Sequence, residues 1–267
     1  MTAGNKIVIM CPPQYYQIEY EINPWMKTTN KINKKLVYRQ YQTLKHIYQK
    51  LNLQIFEIEP QKHLPDMVFT ANYGSFHKDK FIVSRFKYPQ RQEEAEYAKI
   101  FIKQLGYEII DLPTDAVFEG QGDLIATEEQ IFCGYGFRTN RKAIKYLEKI
   151  YNKPIIGLKL KDPYYYHLDT CFSLLKKDTT MINKQAFTKE SLNKIKNQFK
   201  KVIITNDQDN KSLACNNLIV NNTIIISADI SSNLTNQLKL LKFKVIKVKM
   251  TEYLKGGGSI KCISLVS

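Results

Sequence analysis

Missing from this sequence is any apolar run long enough to cross a bilayer, and the opening stretch MTAGNKIVIMCPPQ lacks the long apolar core of a signal peptide. No membrane partner is expected, and the expected compartment is the cytoplasm. Cysteine is sparse. Cys11, Cys133, Cys171, Cys215 and Cys262 are an odd, widely spaced set with no CxxC pair. That argues against a disulfide framework or a zinc site and fits free thiols in a reducing compartment. Neither a metal nor a cofactor is expected. Arginine is scarce too: Arg39, Arg85, Arg91, Arg138 and Arg141 are all there are, so scattered lysines carry most of the +15 net charge. No long basic block appears, so a nucleic-acid partner is not expected. Linkers and low-complexity segments are also missing, and residues 1–267 are expected to form one domain.

A unit recurs along the chain: strand, tight turn, strand, amphipathic helix, strand. One copy runs from Phe69 to Ile110, with the hairpin FTANYGSFHKDKFIVSRF, the helix RQEEAEYAKIFIKQLG and the strand YEII. The next begins at Gly122, with Thr139 as the expected N-cap of its helix. A third begins at His167 and contains a helix from Thr188. A fourth begins at Asn216, with an Asn-Asn turn inside NLIVNNTIIIS. The fifth is split. ISLV, after Cys262, has no following helix, whereas Lys6–Met10 is followed by a helix near Lys34–Leu51 and a strand at Gln54–Ile58. Joining the two halves predicts a closed ring of five strand-rich α/β modules, which removes exposed sheet edges.

In such a ring, equivalent module ends face the central axis. The residues there are Asn23, Asp66, Asn72, Glu119, Asp123, His167, Asp169, Asn216 and Cys262. Polar groups in apolar contexts are costly to bury singly, and a shared pocket satisfies them together. Asp123, after a glycine, reads as a structural anchor. His167 and Asp169, two apart, are expected to share one face of a strand. Cys262 follows the chain's one three-glycine run, at the start of an expected strand Ile263–Val266. Lys255 and Lys261 flank it and are expected to favour the thiolate. A thiol nucleophile, a histidine acid/base and surrounding carboxylates suit a cation with an electrophilic carbon, such as a guanidinium. Arg91 and Arg138 can clamp an α-carboxylate at the other end, although Arg91, opening a helix at RQEE, also reads as solvated surface.

FEGQGD at Phe118–Asp123, HLDT at His167–Thr170 and GGGSIKC ending at Cys262 occur in order, and together the chain resembles the guanidino-group-modifying superfamily. The likeness spans nearly the whole chain. It implies a five-bladed α/β propeller with pseudo-five-fold symmetry, closed by pairing of the N- and C-terminal strands. It also implies Cys262 as nucleophile, His167 as general acid/base and Glu119 as its guanidinium-binding partner, acting through a covalent thiouronium. NPWM, FTAN and HLDT resemble the arginine dihydrolase branch most. Asn72 stands where deiminases and dimethylargininases carry aspartate, and Asp169 is present where dimethylargininases generally lack it. That branch implies two rounds of hydrolysis, from arginine to ornithine, ammonia and carbon dioxide. Asn23, Asn72, Arg91, Arg138, His167 and Asp169 are implied as substrate contacts, with a backbone contact at Gly256. Asp66, a module-start carboxylate, joins the substrate-binding candidates. The alternatives are a dimethylarginine hydrolase, a plain deiminase, and a ribosome-binding propeller factor, against which the complete Cys/His/Glu set counts. The partner expected is a small molecule, arginine or a modified arginine, and a homo-oligomer is compatible with the sequence. RNA binding is expected to be weak and unspecific. Nanomolar affinity for ribosomal RNA at physiological salt, without amidine chemistry, would favour the ribosome-binding alternative.

Overall fold

The computed structural model describes residues 6–267. In chain order, β1 (Ile7–Met10) leads through an irregular segment to α1 (Lys34–Lys50) and β2 (Gln54–Glu57). Next come β3 (Gly74–His77), β4 (Lys80–Val83), α2 (Pro89–Gln104) and β5 (Glu108–Ile110). They are followed by α3 (Gly120–Asp123), β6 (Leu124–Ala126), β7 (Ile131–Tyr135), α4 (Arg141–Tyr151) and β8 (Ile156–Lys159). The third repeat holds β9 (Phe172–Lys176), β10 (Thr179–Ile182), α5 (Lys189–Gln198) and β11 (Lys201–Ile204). The fourth holds α6 (Asp207–Lys211), β12 (Leu218–Val220), β13 (Thr223–Ser227), α7 (Ser232–Leu240) and β14 (Lys244–Val248). A short α8 (Thr251–Leu254) and β15 (Leu265–Val266) follow.

These strands make five three-stranded sheets of one pattern. In each, the first strand is antiparallel to the second, and the second is parallel to the third across a helix. The split module obeys the same rule. β15 runs antiparallel to β1, with Val8 opposite Val266 and Ile9 opposite Leu265, and β1 runs parallel to β2. The fold is a five-bladed α/β propeller closed by this pairing. The expected Asn-Asn turn joins β12 and β13, with Asn221 in the left-handed region at φ 52°.

The helices pack between neighbouring sheets. Val37, Tyr41, Leu44 and Tyr48 of α1 share a core with Val8 and Met10 of its own blade and Ile225 and Val248 of the blade before. Fully buried side chains such as Val37 and Leu44 each contribute on the order of 1.5–3 kcal/mol. Asparagine or a hydroxyl residue caps several helices, Asn33 for α1, Thr188 for α5 and Ser231 for α7, whereas α2 opens on Pro89 without a side-chain cap. For α4 the cap is Asn140 rather than the expected Thr139. Thr139 is engaged inward instead, its hydroxyl donating to Asp123 Oδ2 at 2.7 Å. All five cysteines are free and buried. No described helix is long and apolar enough to cross a membrane.

The blades begin in tight helical turns, not in strands. Thr70–Tyr73 precedes β3, α3 precedes β6, and Leu168–Thr170 precedes β9. His167 and Asp169 therefore do not share a strand face. His167 precedes a 3-10 turn and Asp169 lies inside it, because Thr170 donates both its N–H (3.2 Å) and its hydroxyl (2.6 Å) to the His167 carbonyl. Likewise the last strand is only Leu265–Val266, and Cys262 sits in the turns before it.

Candidate active site

Cys262 is held by one asparagine. Asn216 Oδ1 accepts from the backbone N–H of Cys262 and of Ser259, both at 3.1 Å, while its Nδ2 donates to Cys262 Sγ at 3.1 Å. The thiol donates to Asp169 Oδ2 at 3.5 Å, and the Cys262 carbonyl accepts from Ala71 N at 3.0 Å. The glycine run makes this approach possible. Gly257 takes φ +82°, and a Cβ on Gly256 would meet the Tyr16 hydroxyl and the Phe69 ring within 3 Å. The Gly256 carbonyl accepts from Asn23 Nδ2 at 3.1 Å. Asn23 Oδ1 in turn accepts from the backbone of Trp25 and Met26, straping the NPWM turn to the cysteine loop.

The lysines do not make a thiolate. Lys255 Nζ points away, to Glu252 and to the Lys31 carbonyl. Lys261 Nζ is held by Gln121 Oε1 at 2.6 Å and the Ser264 carbonyl. Burial pushes the Cys262 thiol well above its ordinary range, and the Asp169 carboxylate beside it pushes the same way. Burial likewise raises Asp169, eased by Lys261, and lowers Lys261.

The second group centres on Glu119, which is fully buried. Its Oε2 meets His167 Nε2 at 2.8 Å and accepts from Arg138 Nη1 at 3.0 Å, while Oε1 accepts from Lys87 N at 3.1 Å. Burial alone would raise this carboxyl, but Arg138 and His167 hold it well below the usual carboxylate range. An ionised carboxylate only accepts, so His167 Nε2 carries a proton and donates it to Glu119. Nδ1 faces Gly122, where any Cβ would press on the His167 ring at 3.2 Å and on Asn72 Nδ2. Asp123 stands behind as an anchor: it accepts from Thr139 and from Leu168 N, and burial raises it to about 6. Arg138 lies 4.6 Å from the ring centroids of both Tyr88 and Tyr166 and donates to the Ile22 carbonyl.

The third group is Asp66, Asn72 and Arg91. Arg91 is buried, not solvated as its helix-opening position suggests. The reason is Glu94, one turn on, whose two oxygens accept from Arg91 Nε (2.9 Å) and Nη2 (2.8 Å). Arg91 Nη1 donates to Asn72 Oδ1 at 2.9 Å. Tyr20 donates to Asp66 Oδ2 at 3.0 Å, and burial raises the Asp66 carboxyl. Asp66 Oδ1, Asn72 Nδ2 and Asp169 Oδ1 are buried without a hydrogen-bond partner. They are two acceptors and one donor, from the Cys262 group and the Arg91 group, an inventory a small polar ligand would satisfy. No cluster of His, Cys, Asp and Glu among the described residues could hold a metal ion.

Sequence reasoning put Asn216 among the axis-facing residues without giving it a role, and it did not single out Glu94. Asn216 carried a signal, its place at a module start. Glu94 carried only its i,i+3 spacing from Arg91, an arrangement common on solvated helix faces.

The family model for "N,N dimethylarginine dimethylhydrolase, eukaryotic" matches residues 13–265. The chain belongs to the dimethylarginine dimethylhydrolase family. Among curated proteins it is 35% identical over 264 residues to the bifunctional arginine dihydrolase/ornithine cyclodeaminase ArgZ of Synechocystis, covering 97% of this chain but 37% of that protein. It is 32% identical over 264 residues to the N(G),N(G)-dimethylarginine dimethylaminohydrolase of Mycobacterium tuberculosis, covering 99% of this chain and 86% of that one. The chain thus spans about a third of the bifunctional relative and most of the mycobacterial one. Among solved structures, the N-terminal domain of ArgZ bound to substrate, described as an arginine dihydrolase, superposes with a TM-score of 0.94 at 34% identity, covering 98% of both chains. Family membership and this superposition place the chain among the pentein enzymes.

Proposed function

We propose that this family member is a cytosolic hydrolase of carbon–nitrogen bonds in linear amidines, and that its substrate is free arginine. Cys262 gives its thiol proton to His167 as its sulfur attacks the guanidinium carbon, the bond to a terminal nitrogen breaks, and His167 passes that proton to the departing ammonia. The thiouronium left on Cys262 is attacked by water, whose proton goes to His167. The carbon–sulfur bond then breaks, and citrulline forms. A second round at the ureido carbon, consuming another water, gives ornithine, a second ammonia and carbon dioxide. Asp66 and Asp169 hold the cationic N–H groups. Glu119 orients His167 and stabilises its charged form, a role its bonds favour over direct contact with the guanidinium. Arg138, with donors to spare beyond Glu119 and Ile22, takes the α-carboxylate. Arg91 and Asn23 keep the walls in place.

The observation that carries the two-round reading is the amide of Asn72. Its oxygen faces Arg91, so its unpartnered N–H group faces the His167 side of the pocket. A guanidinium offers no acceptor to that N–H, whereas the ureido oxygen of citrulline does. Such a pocket retains citrulline for a second attack. Wild-type protein is therefore expected to yield ornithine from arginine and to consume added citrulline. Asn72→Asp should shift product toward citrulline by about tenfold, the worth of one hydrogen bond, with little change in arginine KM. Quantifying both products over time tests this. If wild type releases only citrulline and ignores added citrulline, a deiminase is left. The dimethylarginine reading is favoured by the family model and by the length shared with the mycobacterial relative, and it wins if only methylated arginine reacts.

A further inference from the structure

We propose that Glu94 is a positioning residue that locks the Asn72 amide with its N–H group toward the His167 side of the pocket, and thereby sets how well the pocket holds a neutral ureido group. Glu94 is fully buried on α2, three residues after Arg91. Its carboxylate grips one edge of the Arg91 guanidinium through Nε and Nη2, at 2.9 and 2.8 Å. That two-point grip fixes the plane of the fork. The opposite nitrogen, Nη1, is thereby aimed at Asn72 Oδ1, 2.9 Å away, and Nη2 also reaches the Asp66 carbonyl at 3.4 Å.

A guanidinium has donors only, so Asn72 must turn its oxygen to Arg91. Its Nδ2 is then left against Gly122 and the His167 ring, buried and without a partner. Turning the amide over would set N–H against N–H at Arg91 and lose the bond. The discrimination between a cationic amidine and a neutral ureido group is thus set by a carboxylate that touches neither. The Phe86 ring, 4.6 Å from the Arg91 guanidinium carbon, braces the same plane.

The inference rests on the reading that an arginine-derived group reacts at Cys262, and its test is a binding measurement that needs no turnover. Kd values for citrulline and for arginine are measured by calorimetry in Cys262→Ser protein, with and without Glu94→Gln. A glutamine can accept from only one of the two Arg91 N–H groups, and its own amide N–H opposes the other. Glu94→Gln is expected to weaken citrulline about tenfold and arginine by less than about threefold, tenfold being about 1.4 kcal/mol. Combined with Asn72→Ala, Glu94→Gln should add nothing to citrulline selectivity, since the amide it positions is gone. Equal weakening of both ligands, or unchanged citrulline affinity, overturns the proposal. Should Glu94→Gln fail to fold by thermal melting, Glu94→Asp serves, keeping the charge with a shorter reach. It is expected to cost citrulline about threefold relative to arginine, and no selective loss overturns the proposal as well. Citrulline binding without arginine binding would end the arginine reading while leaving the Glu94 comparison intact. No citrulline binding to the parent protein would overturn the Glu94 proposal and the second round of hydrolysis, while arginine binding in the same protein would leave a deiminase standing.

Discussion

Cys262→Ser is expected to lose roughly four to six orders of magnitude in turnover, the scale on which removal of a nucleophile acts, while folding and melting as wild type. The fold survives because a serine hydroxyl can accept from Asn216 and donate to Asp169 as the thiol does, and the backbone bonds of residue 262 are unchanged. Rate is lost because a hydroxyl, unlike a thiol, has almost no anionic form near neutral pH. Wild type should also show where the thiol's proton goes. In the free protein, burial and the Asp169 charge keep the thiol protonated. kcat/KM, which reports the free enzyme, should therefore rise with pH across the neutral to alkaline range. A bound guanidinium puts a positive charge beside the sulfur and offsets both effects, so the same limb in kcat should lie at lower pH. Wild-type rates in the folded serine variant would remove Cys262 from the mechanism.

His167→Ala is expected to cost about two to four orders of magnitude in kcat. Glu119 would keep its bonds from Arg138 and Lys87, so no buried charge is stranded and the protein should still fold. Lost are the proton for departing ammonia and the base for the attacking water. If the second deficit is the larger, a covalent adduct accumulates, and intact-protein mass spectrometry of the variant quenched with arginine should find it on Cys262. Turnover close to wild type would demote His167 to a core histidine.

The five-fold repeat was legible because each module carries its own hairpin, helix and strand in fixed order. The splitting of the fifth left two complementary halves at the two ends. Cys262, His167 and Glu119 were legible as polar residues at corresponding module starts. What escaped reading was burial that depends on distant partners. Arg91 looks solvated in RQEE because, besides Glu94 and Phe86 nearby, the groups that enclose it are Asp66 and Asn72, well upstream. Thr139 looks like a cap until Asp123, sixteen residues earlier, claims its hydroxyl. Lys261 looks like a thiolate promoter, but desolvation outweighs its charge at Cys262. The strand expected at His167 became a turn because Thr170 satisfies the His167 carbonyl locally.

The pairing of β15 with β1 has a bearing on how the protein ages. Two residue pairs join those strands among the described residues, with Ser267 N–H donating to the Ile7 carbonyl beside them, and the stretch they secure carries Cys262 four residues upstream of Val266. Opening that seam locally requires less free energy than melting all five blades. Under mild heat or urea, activity should therefore fail while helix and sheet content persist, and shielding of Cys262 from a thiol reagent should decline with activity rather than with the circular dichroism signal.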